Sequence, residues 1–343
     1  MTSSAPGSPR TGARPTMKDV AAAAGVGLKT VSRVVNGESG VTPEMAARVQ
    51  AAIEALGFRR NDSARLLRTG RTASVALLLE DISDPFSSAL SRAVEQVAAA
   101  EGCLLFTGSS GEDPHREREL ALAFCARRVD GLIVVPAGDD HRYLRPEVES
   151  GTPVVFLDRP GSGLDADAVL SDNAGGARAG TAHLIAHGHR RIGFIGDLPG
   201  IHTAAERLRG HREALAAAGL PVDESLLDCG PTDRARVAAA VHRLTTGPDA
   251  VTALLTANNR ITLAALHHLP AEHRPALVGF DDLELADLLT PGLTVVAQDP
   301  TALGALAARR LFDRLAGDTT APARLELPTL LVPRGSGETP PFH

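Results

Sequence analysis

Apolar positions fall into two regimes along this chain. From residue 74 onward, short apolar runs of strand length alternate with amphipathic stretches of helical period. Strands are predicted at 75–79, 104–106, 132–135, 154–157, 192–195, 253–255, 277–279 and 294–296. Helices are predicted at 86–100, 114–127, 175–187, 203–218, 234–244, 260–269 and 301–315. Strands that are apolar throughout, separated by helices, imply parallel sheets covered on both faces, a doubly wound α/β fold. Eight such units exceed one sheet comfortably, so two lobes are expected. Ligands of this fold class sit beyond the carboxyl ends of the strands, which directs attention to the residue just after each one.

Before residue 72 the period is helical and the segments are short. Residues 16–36 read as two helices hinged at Gly25-Val26-Gly27, the first capped by Thr16 with Asp19 three residues on. Val20, Ala21 and Ala24 face inward from the first helix, and Val31, Val34 and Val35 from the second. Leu28, Lys29, Ser32 and Arg33 are left outward, the arrangement a DNA-reading helix-turn-helix requires. Thr42 and Pro43 start a third helix that ends at Gly57 and offers Ala47, Ala51, Ile53 and Leu56 to close a three-helix core. Residues 61–68 form a helix-compatible run too short to hold a helix alone in water.

Charge sharpens this division. Residues 1–71 carry 11 Lys and Arg against 5 Asp and Glu, leaving 24 against 36 over the rest of a chain whose net charge is −6. A basic head on an acidic body directs the head to a polyanion. Aromatics make up 3% with no Trp, so the core is aliphatic. Cys103, Cys125 and Cys229 are odd in number and lack a C-x-x-C pair, which points to a reducing compartment and no metal site. Residues 1–15 form a Ser/Pro/Gly/Arg tail without the apolar core of a secretory signal, and no membrane span follows. A cytoplasmic, nucleoid-associated protein is expected, with no cofactor.

Several motifs in collinear order carry a resemblance: Lys18-Asp19-Val20-Ala21, Thr30-Val31-Ser32-Arg33-Val34-Val35-Asn36, Ala64-Arg65-x-Leu67, Asp81-Ile82-Ser83-Asp84-Pro85-Phe86, Arg128-Val129-Asp130-Gly131, His187-Gly188-His189-Arg190-Arg191, Arg207-Leu208-x-Gly210 and Gly279-Phe280-Asp281-Asp282. Over about residues 16–334 the chain resembles the lactose/galactose-repressor (LacI/GalR) family of bacterial regulators. The resemblance implies an all-α helix-turn-helix headpiece (16–60), a hinge helix (61–71) and a periplasmic-binding-protein-like body of two Rossmann-like lobes (72–334), between tails at 1–15 and 335–343. It implies a homodimer on a near-palindromic double-stranded operator, no membrane partner, and a small-molecule effector, a sugar or sugar derivative, between the lobes. Leu28, Lys29 and Arg33 fall at the base-reading positions, Thr30, Ser32 and Asn36 at phosphate-positioning ones. Leu67 falls on the minor-groove wedge and Ala64 on the small residue between paired hinges. With no heptad pattern after Arg334, a dimer is expected and not a tetramer.

For the effector the resemblance selects Phe86, Arg159, Arg207, Asn258 and Asp281. One aromatic, two arginines, an amide and a carboxylate suit a polyol or sugar, anionic ones included. Three positions depart from the family pattern. Gly27 replaces a capping Ser or Thr, Arg60 replaces the proline that begins the hinge, and Asn258-Asn259 replaces a frequent Asn-Asp. The cluster His183, His187 and His189 reads as a helix end and not a metal site, residues 337–343 as a loose tail, and Asp281-Asp282 as a binding pair, since no nucleophile accompanies it. A transport binding protein would need a signal peptide and no basic head. An enzyme would need a phosphate loop or a nucleophile with its base. The expected function is therefore a ligand-responsive repressor of a carbohydrate uptake or catabolic operon, without enzyme activity.

Overall fold

A computed structural model of the chain describes residues 15–58, 71–270 and 272–342. The chain divides into two compact units, Met1–Thr72 and Ala73–His343. The hinge residues Ala64 and Leu67, and Arg60, lie outside the described residues.

In the first unit, α1 (Met17–Ala24), α2 (Leu28–Val35) and α3 (Pro43–Leu56) surround a core of Val20, Ala24, Val31, Val49 and Ala52. The Thr16 amide and hydroxyl each donate to Asp19 Oδ2 at 2.7 Å, fixing the start of α1 and holding the Asp19 carboxyl below its usual range. Gly25 ends α1 at φ +63°, and Arg48 Nη2 donates to the Ala24 carbonyl at 2.5 Å and to that of Gly25 at 3.2 Å. That satisfies carbonyls the helix end leaves open. The inner face of α3 differs from the expected one: Val49 and Ala52 are buried with Ile53 packed beside them, while Ala47 and Ala51 face solvent and Leu56 is 36% exposed. The β-branched Val49 and Ile53 remove more apolar area from water than the alanines, so the helix turns that face inward.

The second unit holds two six-stranded sheets. The first combines β1 (Ser74–Leu79), β2 (Leu104–Ser109), β3 (Gly131–Val134), β4 (Val154–Leu157), β5 (Asp167–Ser171) and β11 (Arg324–Leu327) in the order β11-β5-β4-β3-β1-β2. The second combines β6 (Ile192–Gly196), β7 (Leu227–Cys229), β8 (Ala253–Thr256), β9 (Ala276–Phe280), β10 (Thr294–Ala297) and β12 (Leu330–Val332) in the order β12-β10-β9-β8-β6-β7. All neighbours are parallel except β10 and β12. Helices α4 (Pro85–Ala100), α5 (Pro114–Ala126), α6 (Arg145–Glu149) and α11 (Pro300–Leu315) belong to the first lobe; α7 (Asn173–Ala186), α8 (His202–Ala217), α9 (Arg234–Thr245) and α10 (Asn259–Leu266) belong to the second. Alternation along β1 shows why these strands are apolar throughout. Val75, Leu77 and Leu79 enter the core on one face, Ala76 and Leu78 the core on the other.

Four strands were not among those expected. β5, β11, β12 and β7 are sheet-edge or next-to-edge elements, and β11 is half exposed with charged residues in it. In β7, β11 and β12 the apolar signal is diluted because one face meets solvent or few neighbours, whereas β5 is buried throughout and its apolar run is cut to residues 168–170 by the polar Asp167 and Ser171. Three segments cross between lobes: β5 to α7, β10 to α11, and β11 to β12. Asp172 and Asp299 cap the helices that follow the first two, accepting from Gly175 N at 2.6 Å and Ala302 N at 2.8 Å.

The end of the chain is held, contrary to the expected loose tail. Ser336 pairs through its backbone with Leu277 and Gly292. Glu338 accepts from Thr294 Oγ1 at 2.9 Å and Gly335 N at 2.6 Å and lies 2.5 Å from His183 Nε2, while His189 Nε2 meets the Thr339 carbonyl at 2.8 Å. Two of the three clustered histidines therefore fasten the tail. The Gly, Pro and polar composition of residues 337–342 reads as a tail because it says nothing of partners 150 residues away in sequence.

Candidate functional site

Each lobe's strand order reverses beside its first strand, between β1 and β3 and between β6 and β8, which leaves a crevice at the carboxyl ends of the strands. The two crevices face each other across one cleft. All five residues selected from the sequence line it: Phe86, Arg159, Arg207, Asn258 and Asp281. Phe86 does so from the first turn of α4 while also packing on the first lobe's core.

Arg207 is placed by three contacts. Its Nε donates to Asn173 Oδ1 at 2.7 Å, its Nη1 donates to the Ala257 carbonyl at 2.6 Å, and its guanidinium lies 3.9 Å from the centre of the Phe280 ring. The backbone allows this because Gly210, one turn on, presses α8 against α7: a Cβ there would stand 2.1 Å from the Ala174 carbonyl oxygen. Asp281 ends β9 in the left-handed region at φ +70°, 3.9 Å from Arg207. Gln298 Nε2 donates to its Oδ1 at 2.6 Å, and burial pushes the carboxyl up. Asn258 caps α10 by accepting from Ile261 N at 2.8 Å, and its Nδ2 donates to Asp197 Oδ2 at 3.1 Å.

Arg159 is 7% exposed, and Glu112 accepts both of its terminal nitrogens at 2.7 and 2.5 Å. Burial works against its charge, yet Glu112, Asp158 and Glu80 outweigh it and hold the guanidinium charged. Leaving such a buried charge unpartnered costs about 3–5 kcal/mol, so the pair fixes the side chain.

Polar residues of the cleft that were not selected from the sequence include Glu80, Asp84, Asp158, Asp197, Arg260 and Gln298. Asp158 and Asp197 are the first residues after β4 and β6, where the strand-end rule already pointed, one position before or well away from those chosen. Asp158 is 7% exposed at φ +65°, and its Oδ1 is buried without a hydrogen-bond partner, a group prepared for a donor. The lining thus carries five carboxylates, Glu80, Asp84, Asp158, Asp197 and Asp281, against three guanidiniums, Arg159, Arg207 and Arg260. Each guanidinium already has a protein carboxylate within 4.0 Å. That balance turns against an anionic ligand. The pair Asp281-Asp282 is divided, since Asp282 accepts both Arg334 terminal nitrogens at 2.7 and 2.8 Å outside the cleft.

On the headpiece, α2 presents Leu28, 46% exposed, and Lys29 to solvent, with Thr30, Ser32, Arg33 and Asn36 half-buried. Gly27 caps it without a side chain, as expected. Among the described residues no carboxylate pairs with Lys29 or Arg33. Asn36 Nδ2 donates to Glu38 Oε1 at 2.9 Å and to Ser32 Oγ at 3.4 Å.

A family model described as bacterial regulatory proteins, lacI family, matches residues 16–61, and one described as a periplasmic binding protein-like domain matches 181–337. The HTH-type transcriptional regulator CelR of Thermobifida fusca is 38% identical over 340 residues, covering 94% of this chain and 98% of that protein. The chain belongs to the lacI family of bacterial regulatory proteins. The ribose operon repressor of Escherichia coli (strain K12) is a second member that is similar, at 32% identity over 329 residues, 94% of this chain and 99% of that one. Among solved structures, a transcriptional regulator CelR-cellobiose complex is 36% identical with a TM-score of 0.69, covering 94% of this chain and 100% of that one. The Lac repressor dimer bound to operator and the anti-inducer ONPF is 25% identical with a TM-score of 0.83, covering 95% and 100%. As a member of this family the chain is a helix-turn-helix transcriptional regulator. Among the described residues no helix is long and apolar enough to cross a membrane.

Proposed function

We propose that this regulator is a homodimeric repressor that binds a near-palindromic operator beside the chromosome and is controlled by a neutral sugar in the inter-lobe cleft. Leu28, Lys29 and Arg33 read base edges in the major groove: Arg33 bidentate to guanine, Lys29 by a single point, Leu28 against a thymine methyl. Thr30, Ser32 and Asn36 position the helix on phosphates, and Ala64 and Leu67 serve the hinge. Apolar side chains left in solvent support the dimer: Leu104 at 70% and Phe106 at 40% on the edge strand β2, Leu285 at 62% and Leu288 at 74% in the second lobe.

The observation that carries the effector reading is the convergence of side chains from both lobes on one polar cleft, with Phe86 for a sugar face and Asn258, Asp158 and Asp281 for hydroxyls. Cellobiose, the ligand named for the CelR structure, is the first probe. Neutral mono- and disaccharides are tested against glucose 6-phosphate by thermal shift, since a ligand of the folded state raises the melting point. A neutral sugar is expected to raise it and the phosphate to leave it unchanged. A rise with the phosphate alone overturns the neutral assignment.

A further inference from the structure

Two residues on the first turn of α10 reach across the cleft. Asn259, 6% exposed, places Nδ2 3.1 Å from both carboxylate oxygens of Asp84. Arg260 places Nη2 2.5 Å from Asp81 Oδ2, Nη1 3.2 Å from Glu80 Oε1 and Nε 3.4 Å from Asp84 Oδ2. The donors belong to the second lobe, and the three carboxylates to the turn between β1 and α4 of the first. The cleft is thus bridged by the chain's own side chains.

Nothing within α10 favours a cation there, because the N-terminal end of a helix carries the positive end of its dipole. The gain for Arg260 lies across the cleft. Asn259 is the departure from the family's frequent Asn-Asp, and its surroundings explain it: an aspartate would bring a second carboxylate against Asp84. The amide turns that repulsion into donation. The facing turn is equally prepared. Ser83 N and Oγ donate to Asp81 Oδ1 at 2.9 and 2.8 Å, and Asp84 accepts from Phe86 N at 2.9 Å, so both carboxylates are fixed before Arg260 meets them.

We propose that Asn259 and Arg260 are positioning residues that clamp the β1–α4 turn and keep the lobes closed over the cleft without any effector. This rests on the reading of the cleft as the effector site, but the clamp itself is made by the chain's own side chains. Its consequence for binding is arithmetic: the larger the fraction already closed, the closer the apparent affinity comes to that of the closed form. The Arg260 side chain is 38% exposed, so salt weakens its part of the clamp.

The test is an inter-lobe distance in the full chain with no ligand added. Spin labels on Glu119→Cys in the first lobe and Ala239→Cys in the second, with Cys103, Cys125 and Cys229 replaced by alanine, are read in protein diluted with unlabelled chain. The parent is expected to give one short distance that lengthens in high salt. Arg260→Ala and Asn259→Asp should each lengthen and broaden it. Adding Asp84→Asn to Asn259→Asp should restore the short distance, because donor and acceptor have changed places. The same distribution in every variant, a long distance in the parent, or no restoration by the exchanged pair overturns the clamp. The readout involves neither sugar nor DNA, so failure to bind either overturns the proposed function and leaves the clamp standing.

Discussion

Glu80 shows how a single residue in the cleft carries a readable cost. Burial, and then the neighbouring Glu112 carboxylate, push it up to about 7, with Arg159 and Arg260 pulling the other way and Asp84 adding to the rise. Between the ordinary glutamate value and about 7, the folded chain holds a proton that the unfolded chain has released. Unfolding therefore becomes easier as pH rises through that window and levels off above it. Glu80→Gln stays neutral throughout, so the parent's melting temperature relative to that variant should fall between about pH 4.5 and about pH 7. Parallel curves would contradict the assignment. Arg33 makes a second prediction of the same scale: Arg33→Ala should lose about 1–3 kcal/mol at one operator position and relax base preference there while the headpiece stays folded. A binding-site selection reads it, and an unchanged preference removes Arg33 from the base-reading set.

At the scale of elements, what the sequence shows depends on how local the cause is. The buried central strands and their helices announce themselves by period, and β4 matches its expected bounds at Val154–Leu157. The five effector residues selected through the resemblance all line one cleft, because each stands beside a strand end or on the first turns of a helix. The commitments of those side chains were not legible. Whether Arg159 or Arg207 is free for an anion depends on Glu112 and Asn173, tens of residues away in sequence, and both arginines turn out to be engaged by the protein. The packing of α8 on α7 is similar: Gly210 is visible in a motif, but its reason, the Ala174 carbonyl against it, is not. Gly210→Ala should cost about 1–3 kcal/mol by overpacking and also weaken sugar binding, since the helix that carries Arg207 must move. Denaturant unfolding with a parallel sugar titration reads both; full affinity in a destabilised variant would separate Arg207 from this contact.

For the whole molecule, three chain crossings join the lobes, so closure of one cleft is coupled to the relative placement of both sheets. An effector supplies only its difference in affinity between open and closed forms, and the clamp of Asn259 and Arg260 sets where that balance starts. We propose that this cleft governs operator binding by the headpiece. It is tested most directly by fluorescence anisotropy on a selected operator duplex, with and without the sugar that raises the parent's melting point, comparing the parent with Asp281→Asn. Equal operator affinity is expected for the two proteins without sugar, with a clear change on adding sugar to the parent and none for the variant. A variant that responds to sugar as the parent does would contradict the proposal.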